Sequence, residues 1–149
     1  VIVWVNGTFG AGKTSACREL VELLPGSLLY DPELVGQGLR RVLPADRMAP
    51  VSDFQDLPSW RRLVPEVAAA LLSEVPGPLV VPMTLLREDY RDEIFGALAT
   101  RGLAVHHFVL DPAETILLER IAARDECPGD PAASARVRTW CREHLPQYR

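Results

Sequence analysis

The sequence contains a single lysine. Every other fixed positive side-chain charge is an arginine, and the exception, Lys13, lies in the glycine-rich stretch GTFGAGKTS, Gly7 to Ser15. Cysteine is scarce too. Cys17, Cys127 and Cys141 are odd in number and lack CxxC spacing, which argues against a disulfide framework or a zinc site and fits reduced thiols in a cytosolic protein. No apolar run reaches the roughly 18 residues needed to cross a bilayer, and the N-terminus has no basic region of a signal peptide. Positive charge is not in excess either. A formal net charge of −4 argues against a general binder of nucleic acid or anionic membranes, so any phosphate chemistry must be local.

What is present fits one globular domain over residues 1–149. That length, with 48% hydrophobic residues, can bury a continuous core. The chain starts at Val1, inside a strand pattern and without an initiator methionine, and stops at Arg149 after a helical pattern, so a fragment or trimmed chain is expected.

VIVWVN, residues 1–6, reads as a buried strand, followed by a glycine turn and a helix from about Lys13 to Leu24, stopped by Pro25 and Gly26. SLLY predicts a second strand ending at Asp31, and PELVGQGLRRVL a helix with Pro32 in its first turn. The polar, proline-rich stretch 43–58 reads as a connection. SWRRLVPEVAAALLSEV returns to helical spacing, with Pro65 kinking that helix or marking its beginning. PLVVPMT and LAVHHFVL predict strands three and four around a helix that stops at Gly102, and AETILLERIAARDE leads through a CPGDP turn to a last helix near 132–145. Alternating strands and helices imply an α/β fold of three layers: a parallel sheet of about four strands covered on both faces, with ligands at the strands' carboxyl ends.

Gly7, Gly12, Lys13 and Thr14 match GxxxxGK[ST], a P-loop, between a predicted strand and a predicted helix. Glycines allow close backbone approach, so that successive N–H groups from Gly7 through Thr8, Phe9, Gly10, Ala11 and Gly12 to Ser15 surround phosphate, aided by the helix dipole. Lys13 reaches the β and γ phosphates, and the Thr14 hydroxyl takes a Mg²⁺ position. The solitary lysine follows from geometry, since a compact ammonium suits a cramped loop better than a planar guanidinium.

Asp31, at the end of strand two, is a candidate general base for an acceptor hydroxyl, or an N-cap for the next helix; the two roles are compatible. Arg40 and Arg41 complement a helix dipole or bind an anion. Asp53, Trp60 and Arg61, near Phe54 and Arg62, suit a planar or sugar-like acceptor, with core packing the alternative for Trp60. Arg120 and Arg124 share a helix face; they form surface ion pairs or deliver charge to the transferring phosphoryl from a lid around 120–131. His106 and His107 face opposite sides of a strand and read as structural. Thr84 stands where many P-loop enzymes place an acid, so Asp31 or Asp111 is left to complete the metal's surroundings.

WVNGTFGAGKT, YDPELVG with the following GLR, DFQDLPSW, VPMTLLREDYRDEI and VHHFVL together resemble the tunicamycin-resistance protein family of P-loop ATP-binding proteins, over Ile2 to about Glu126. The wider relatives are small-molecule kinases similar to shikimate kinase and chloramphenicol phosphotransferase. The resemblance implies ATP and Mg²⁺ as cofactors, an acid after strand two that meets the acceptor hydroxyl, lid arginines of LxxRxxxR type, and protection against a uridine-containing nucleoside antibiotic. Family members continue into another strand and helix, absent here, that carry the adenine-side loop and any peripheral membrane attachment. The expected activity is transfer of the ATP γ-phosphoryl to a hydroxyl of a nucleoside-like antibiotic or related metabolite. The alternatives are ATP-dependent sequestration without modification and a regulatory NTPase.

Overall fold

A computed structural model describes residues 1–125 and 127–148. Strand β1 (Ile2–Gly7) leads into helix α1 (Lys13–Leu23), then β2 (Leu28–Leu29), α2 (Glu33–Val42), short α3 (Ala45–Met48), a 3₁₀ turn (Phe54–Asp56) and α4 (Pro58–Glu74). The chain continues through β3 (Leu79–Pro82), α5 (Glu88–Thr100), β4 (Val105–Leu110), α6 (Glu114–Ala122) and α7 (Pro131–His144) to a last 3₁₀ turn (Leu145–Tyr148).

The four strands form one parallel sheet in the order β2-β3-β1-β4. Chain order reverses at β1: the chain leaves it toward β2 and β3 and returns on the far side as β4. In open α/β sheets a ligand crevice forms at such a reversal, beyond the carboxyl ends of the strands. Here those ends deliver the residues after Gly7, Leu29 and Pro82 to one side.

Alternation along β1 separates two cores. Ile2 and Trp4 face one side with Leu79 and Val81, against Trp60, Val64 and Ala68 of α4 and Ile94 and Leu98 of α5. Val5 and Val80 face the other, against Cys17 of α1, with Val3 and Leu29 beside them. These two faces make the three-layer sandwich that the alternating pattern predicts. A third cluster, Ala11, Leu117, Ile121, Cys141 and Leu145 with Phe9, Val137 and Trp140, ties α6 and α7 to the loop after β1. At the sheet edge, Phe108 and Val109 of β4 are about half exposed (56% and 55%).

Two sequence expectations are corrected. SLLY contributes only Leu28 and Leu29 as strand residues, in register with Leu79 and Val80, although Tyr30 N still donates to Val80 O at 2.9 Å. Pro65 does not begin its helix; α4 starts at Pro58, in the first turn, where a missing N–H costs nothing. Connection 43–58 is less irregular than its prolines suggest, holding both α3 and the 3₁₀ turn.

Candidate functional site

The loop after β1 is built on positive-φ glycines. Gly7 (φ 143°), Gly10 (φ 75°) and Gly12 (φ 96°) hold conformations that side chains disfavour, and a Cβ at Gly7 would stand 2.6 Å from Leu110 O. Helix α1 then begins with no side-chain cap and no acidic residue in its first turn. Its leading amides therefore remain available, with the positive dipole end, to an anion. By contrast, Asp130 caps α7 by accepting from Ala133 N at 2.9 Å.

These features open onto a cleft of about 790 Å³. Phe9, Gly10, Gly12, Lys13, Thr14 and Ser15 line it on the loop side. Gly7, Thr8 and Ala11 are buried behind them as support. Thr8 Oγ1 is buried with no hydrogen-bond partner among the described residues, an orphaned hydroxyl inside the loop. Lys13 Nζ donates to Gly7 O at 2.9 Å and Thr8 O at 3.0 Å. Burial, the largest influence, pulls its pKa from 10.5 down to about 8, against the opposing pull of Glu33.

Asp31 lines the same cleft at the carboxyl end of β2. Its Oδ1 accepts from Glu33 N at 2.9 Å, tying down the start of α2, while Oδ2 accepts no hydrogen bond among the described residues. The N-cap position itself falls on Pro32, so Asp31 steadies the start of α2 from one residue earlier while lining the cleft. Asp111 lies outside the cleft lining, and no group of three or more His, Cys, Asp or Glu forms a cation site among the described residues.

Arg40, Ser52, Asp53, Phe54, Gln55, Met83 and Thr84 form the opposite wall. Arg40 lies over the Phe54 ring, 4.7 Å from its centroid. That ring packs flush on Gly36 of α2, where a Cβ would fall 2.3 Å from Phe54 Cγ. Asp53 Oδ1 accepts from Gln55 N at 2.9 Å and starts the 3₁₀ turn. Gln55 Nε2 donates to Thr84 O at 2.9 Å, so its amide orientation follows from that partner and Oε1 is left as an acceptor.

Trp60 and Arg61 are not in the cleft. Trp60 is fully buried in the α4–α5 core, with its indole N–H donating to Pro32 O at 3.0 Å. An α4 start at Pro58 turns position 60 inward. Arg61 points toward α5, where it pairs with Glu93 at 2.6 Å, lies 4.1 Å over the Tyr90 ring and donates to Gln55 O. It braces that wall from behind. On this wall the aromatic surface comes instead from Phe54, which the sequence reading named as a neighbour of Asp53 but not as a candidate.

Arg120 and Arg124 both line the cleft. Arg120 Nη1 donates to Gly10 O at 3.0 Å and Ala11 O at 3.3 Å, so its partners are loop carbonyls, not the surface acids expected as the alternative. Arg124 Nη1 is 4.0 Å from Cys141 Sγ, and Arg138 Nη1 holds Arg124 O at 2.9 Å. In the expected lid, Asp125 Oδ1 accepts from Ser134 Oγ of α7 at 2.6 Å; Glu126 lies outside the described residues. Val137, Trp140 and Cys141 of α7 also line the cleft, a contribution no motif signalled. Trp140 meets Phe9 edge to face at 4.9 Å. His107 Nε2 lies 3.1 Å from Asn6 Nδ2 and its ring packs on Phe95, a structural role as expected.

No helix among the described residues is long and apolar enough to cross a membrane. An AAA domain family model matches residues 2–145. No curated protein sequence matches the chain. The solved tunicamycin resistance protein of Deinococcus radiodurans is 30% identical, with a TM-score of 0.72 over 99% of this chain and 82% of that one. A gluconokinase from Sinorhizobium meliloti 1021 (20% identity, TM-score 0.54, 94% and 73% covered) shares the fold. So does the Mycobacterium tuberculosis APS kinase CysC, solved with AMPPNP and APS (20% identity, TM-score 0.54, 97% and 95% covered). With a P-loop at the head of a parallel sheet and these relatives along nearly its whole length, the chain belongs to the AAA domain family and, within that P-loop kinase-like fold, to the tunicamycin-resistance protein family.

Proposed function

We propose that the protein is a Mg²⁺-dependent phosphotransferase that moves the γ-phosphoryl of ATP to a hydroxyl of a nucleoside-like antibiotic or related small metabolite. One observation carries the reading: the P-loop with Lys13, the Asp31 carboxylate and the two arginines of the α6–α7 region all face one cleft. Phosphoryl transfer is mainly positioning and charge stabilisation, so this set suffices without a covalent nucleophile.

The residues fit the cofactor. The loop's positive-φ glycines and the uncapped α1 amides suit a triphosphate, and the Thr14 hydroxyl would hold Mg²⁺ beside it. When bound, ATP supplies the phosphoryl group and Mg²⁺ neutralises charge on the phosphate oxygens. Lys13 and the loop amides grip phosphate, and Arg120 and Arg124 offset negative charge from the α6–α7 side. Asp31 Oδ2 accepts the proton of the acceptor hydroxyl. Arg40, Asp53, Phe54 and Gln55 receive the acceptor, with Arg61 holding that wall in place. The likeness to the tunicamycin resistance protein supports a nucleoside antibiotic as acceptor, and cysteines that form no disulfide among the described residues fit a cytoplasmic location.

ATP-dependent sequestration without transfer is the second reading. It draws on Thr84, which leaves the site without an acid at the end of β3. Mass spectrometry of tunicamycin and simple nucleosides incubated with the protein, ATP and Mg²⁺ separates the two. Transfer predicts a gain of one phosphoryl group on an acceptor; tight acceptor binding with ATP present and no mass gain would establish sequestration instead.

A further inference from the structure

Both carbonyls that hold Lys13 have a second donor. Gly7 O accepts from Lys13 Nζ at 2.9 Å and also from Thr84 Oγ1 at 2.8 Å. Thr8 O accepts from Lys13 Nζ at 3.0 Å and also from Ala11 N at 3.3 Å. To reach a phosphate the ammonium must give up carbonyl partners, and a buried carbonyl left bare is costly. The loop is arranged so that neither is stripped of all its donors when Lys13 turns away.

We propose that Thr84 is a positioning residue for nucleotide binding, keeping the Gly7 carbonyl hydrogen-bonded when Lys13 leaves it for phosphate. This rests on the reading that the loop binds a triphosphate. Thr84 is 7% exposed, and its backbone is pinned: Gln55 Nε2 donates to its carbonyl, and Asn6 Oδ1 accepts from both Gly7 N and Leu85 N at 2.8 Å. Its hydroxyl is thereby held at Gly7 O. An ionised carboxylate here has no proton to donate and would face the carbonyl oxygen with like charge. The absence of an acid at this position then has a physical reason: the site needs a donor.

Calorimetric titration with ATP tests the role. Thr84→Val, which keeps the shape and removes the donor, should weaken ATP binding about tenfold, equivalent to about 1.4 kcal/mol. Thr84→Ser, which keeps the hydroxyl, should stay within about threefold of wild type. A purely packing role would spare the valine variant and penalise the smaller serine. Without nucleotide, Lys13→Ala and Thr84→Val together should lower the melting temperature by more than the sum of the single effects, since only the pair strips both side-chain donors from Gly7 O. If Thr84→Val does not fold, the wild-type Thr84 hydroxyl proton serves instead: it should stay protected from exchange when the protein is saturated with ATP. Unchanged ATP affinity in Thr84→Val, failure of Thr84→Ser to bind normally, an additive cycle or loss of hydroxyl protection on ATP binding would each overturn the role. If wild type binds no ATP, the nucleotide reading falls together with this role; if wild type binds and Thr84→Val binds equally, this role falls alone.

Discussion

The two sides of the cleft are made in opposite ways. The side proposed to bind phosphate is one contiguous run, Gly7 to Ser15, whose glycines supply the shape. The side proposed to receive the acceptor draws Asp31 from the end of β2, Arg40 from α2, Asp53 to Gln55 from a 3₁₀ turn and Thr84 from the end of β3. Long-range contacts hold it: Phe54 on Gly36, Arg61 on Gln55, and Tyr90 between the guanidinium groups of Arg61 (4.1 Å) and Arg87 (3.8 Å). A contiguous motif persists as a local conformation, whereas an assembled wall depends on every brace behind it. Damage to the second should therefore leave the first intact, except at Thr84, whose hydroxyl donates to Gly7 O of the loop.

Lys13→Ala is the sharpest test of the phosphate side. Loss of the only ammonium in the loop should weaken ATP binding by roughly a hundredfold or more, about 2.8 kcal/mol, as measured by calorimetry. Near-normal affinity would mean the loop amides alone suffice. Asp31→Asn breaks the other side: transfer should fall by about 10²- to 10⁴-fold, with ATP affinity within about threefold of wild type. Equal loss of ATP affinity in both variants would erase the division between the two walls.

Gly36→Ala drives a methyl group into the Phe54 ring, and should lower stability by about 1–3 kcal/mol while ATP affinity stays near wild type. A weaker ATP complex in a folded Gly36→Ala protein would show that the walls are coupled.

Raising the pH gives the smallest effect. Binding of anionic phosphate favours protonated Lys13, whose pKa is near 8 in the nucleotide-free protein, so ATP affinity should decline above that value by at most about tenfold per pH unit. Calorimetry from pH 7 to 9 in wild type, with Asp31→Asn as a control for the acceptor side, checks this; a flat profile in wild type would contradict it. Stability moves the other way. The folded pKa lies below the ordinary 10.5, so the unfolded chain binds more protons between the two values, and the cost of burying this lysine shrinks as pH rises through that window.

Sequence patterns located the glycine loop and its place in the cleft because GxxxxGK[ST] encodes backbone conformation along one contiguous run. They disclosed the alternating elements for the same reason: hydrophobic period and glycine or proline stops act over a few residues. They left Trp60 between pocket and core because an aromatic beside arginines looks alike in both, and only the start of α4 at Pro58 turns it inward. Arg61 was selected because an arginine beside an aromatic suits stacking on a ligand, but its guanidinium stacks on Tyr90 and faces α5. Phe54 and Gln55 were overlooked since nothing local shows that the 3₁₀ turn folds against Gly36 and Thr84. The α7 wall carried no signal at all.

Local chain chemistry thus dictates the order of strands and helices, the anion-binding loop and the choice of a lone lysine within it, because each depends on backbone freedom or periodicity within a short window. Three-dimensional packing alone decides which side of the sheet each helix covers, which arginine reaches the cleft, and that Thr84 meets the same carbonyl as Lys13. Those outcomes join residues as many as 110 positions apart, as between Arg120 and Gly10, and such distances are closed only when the core excludes water.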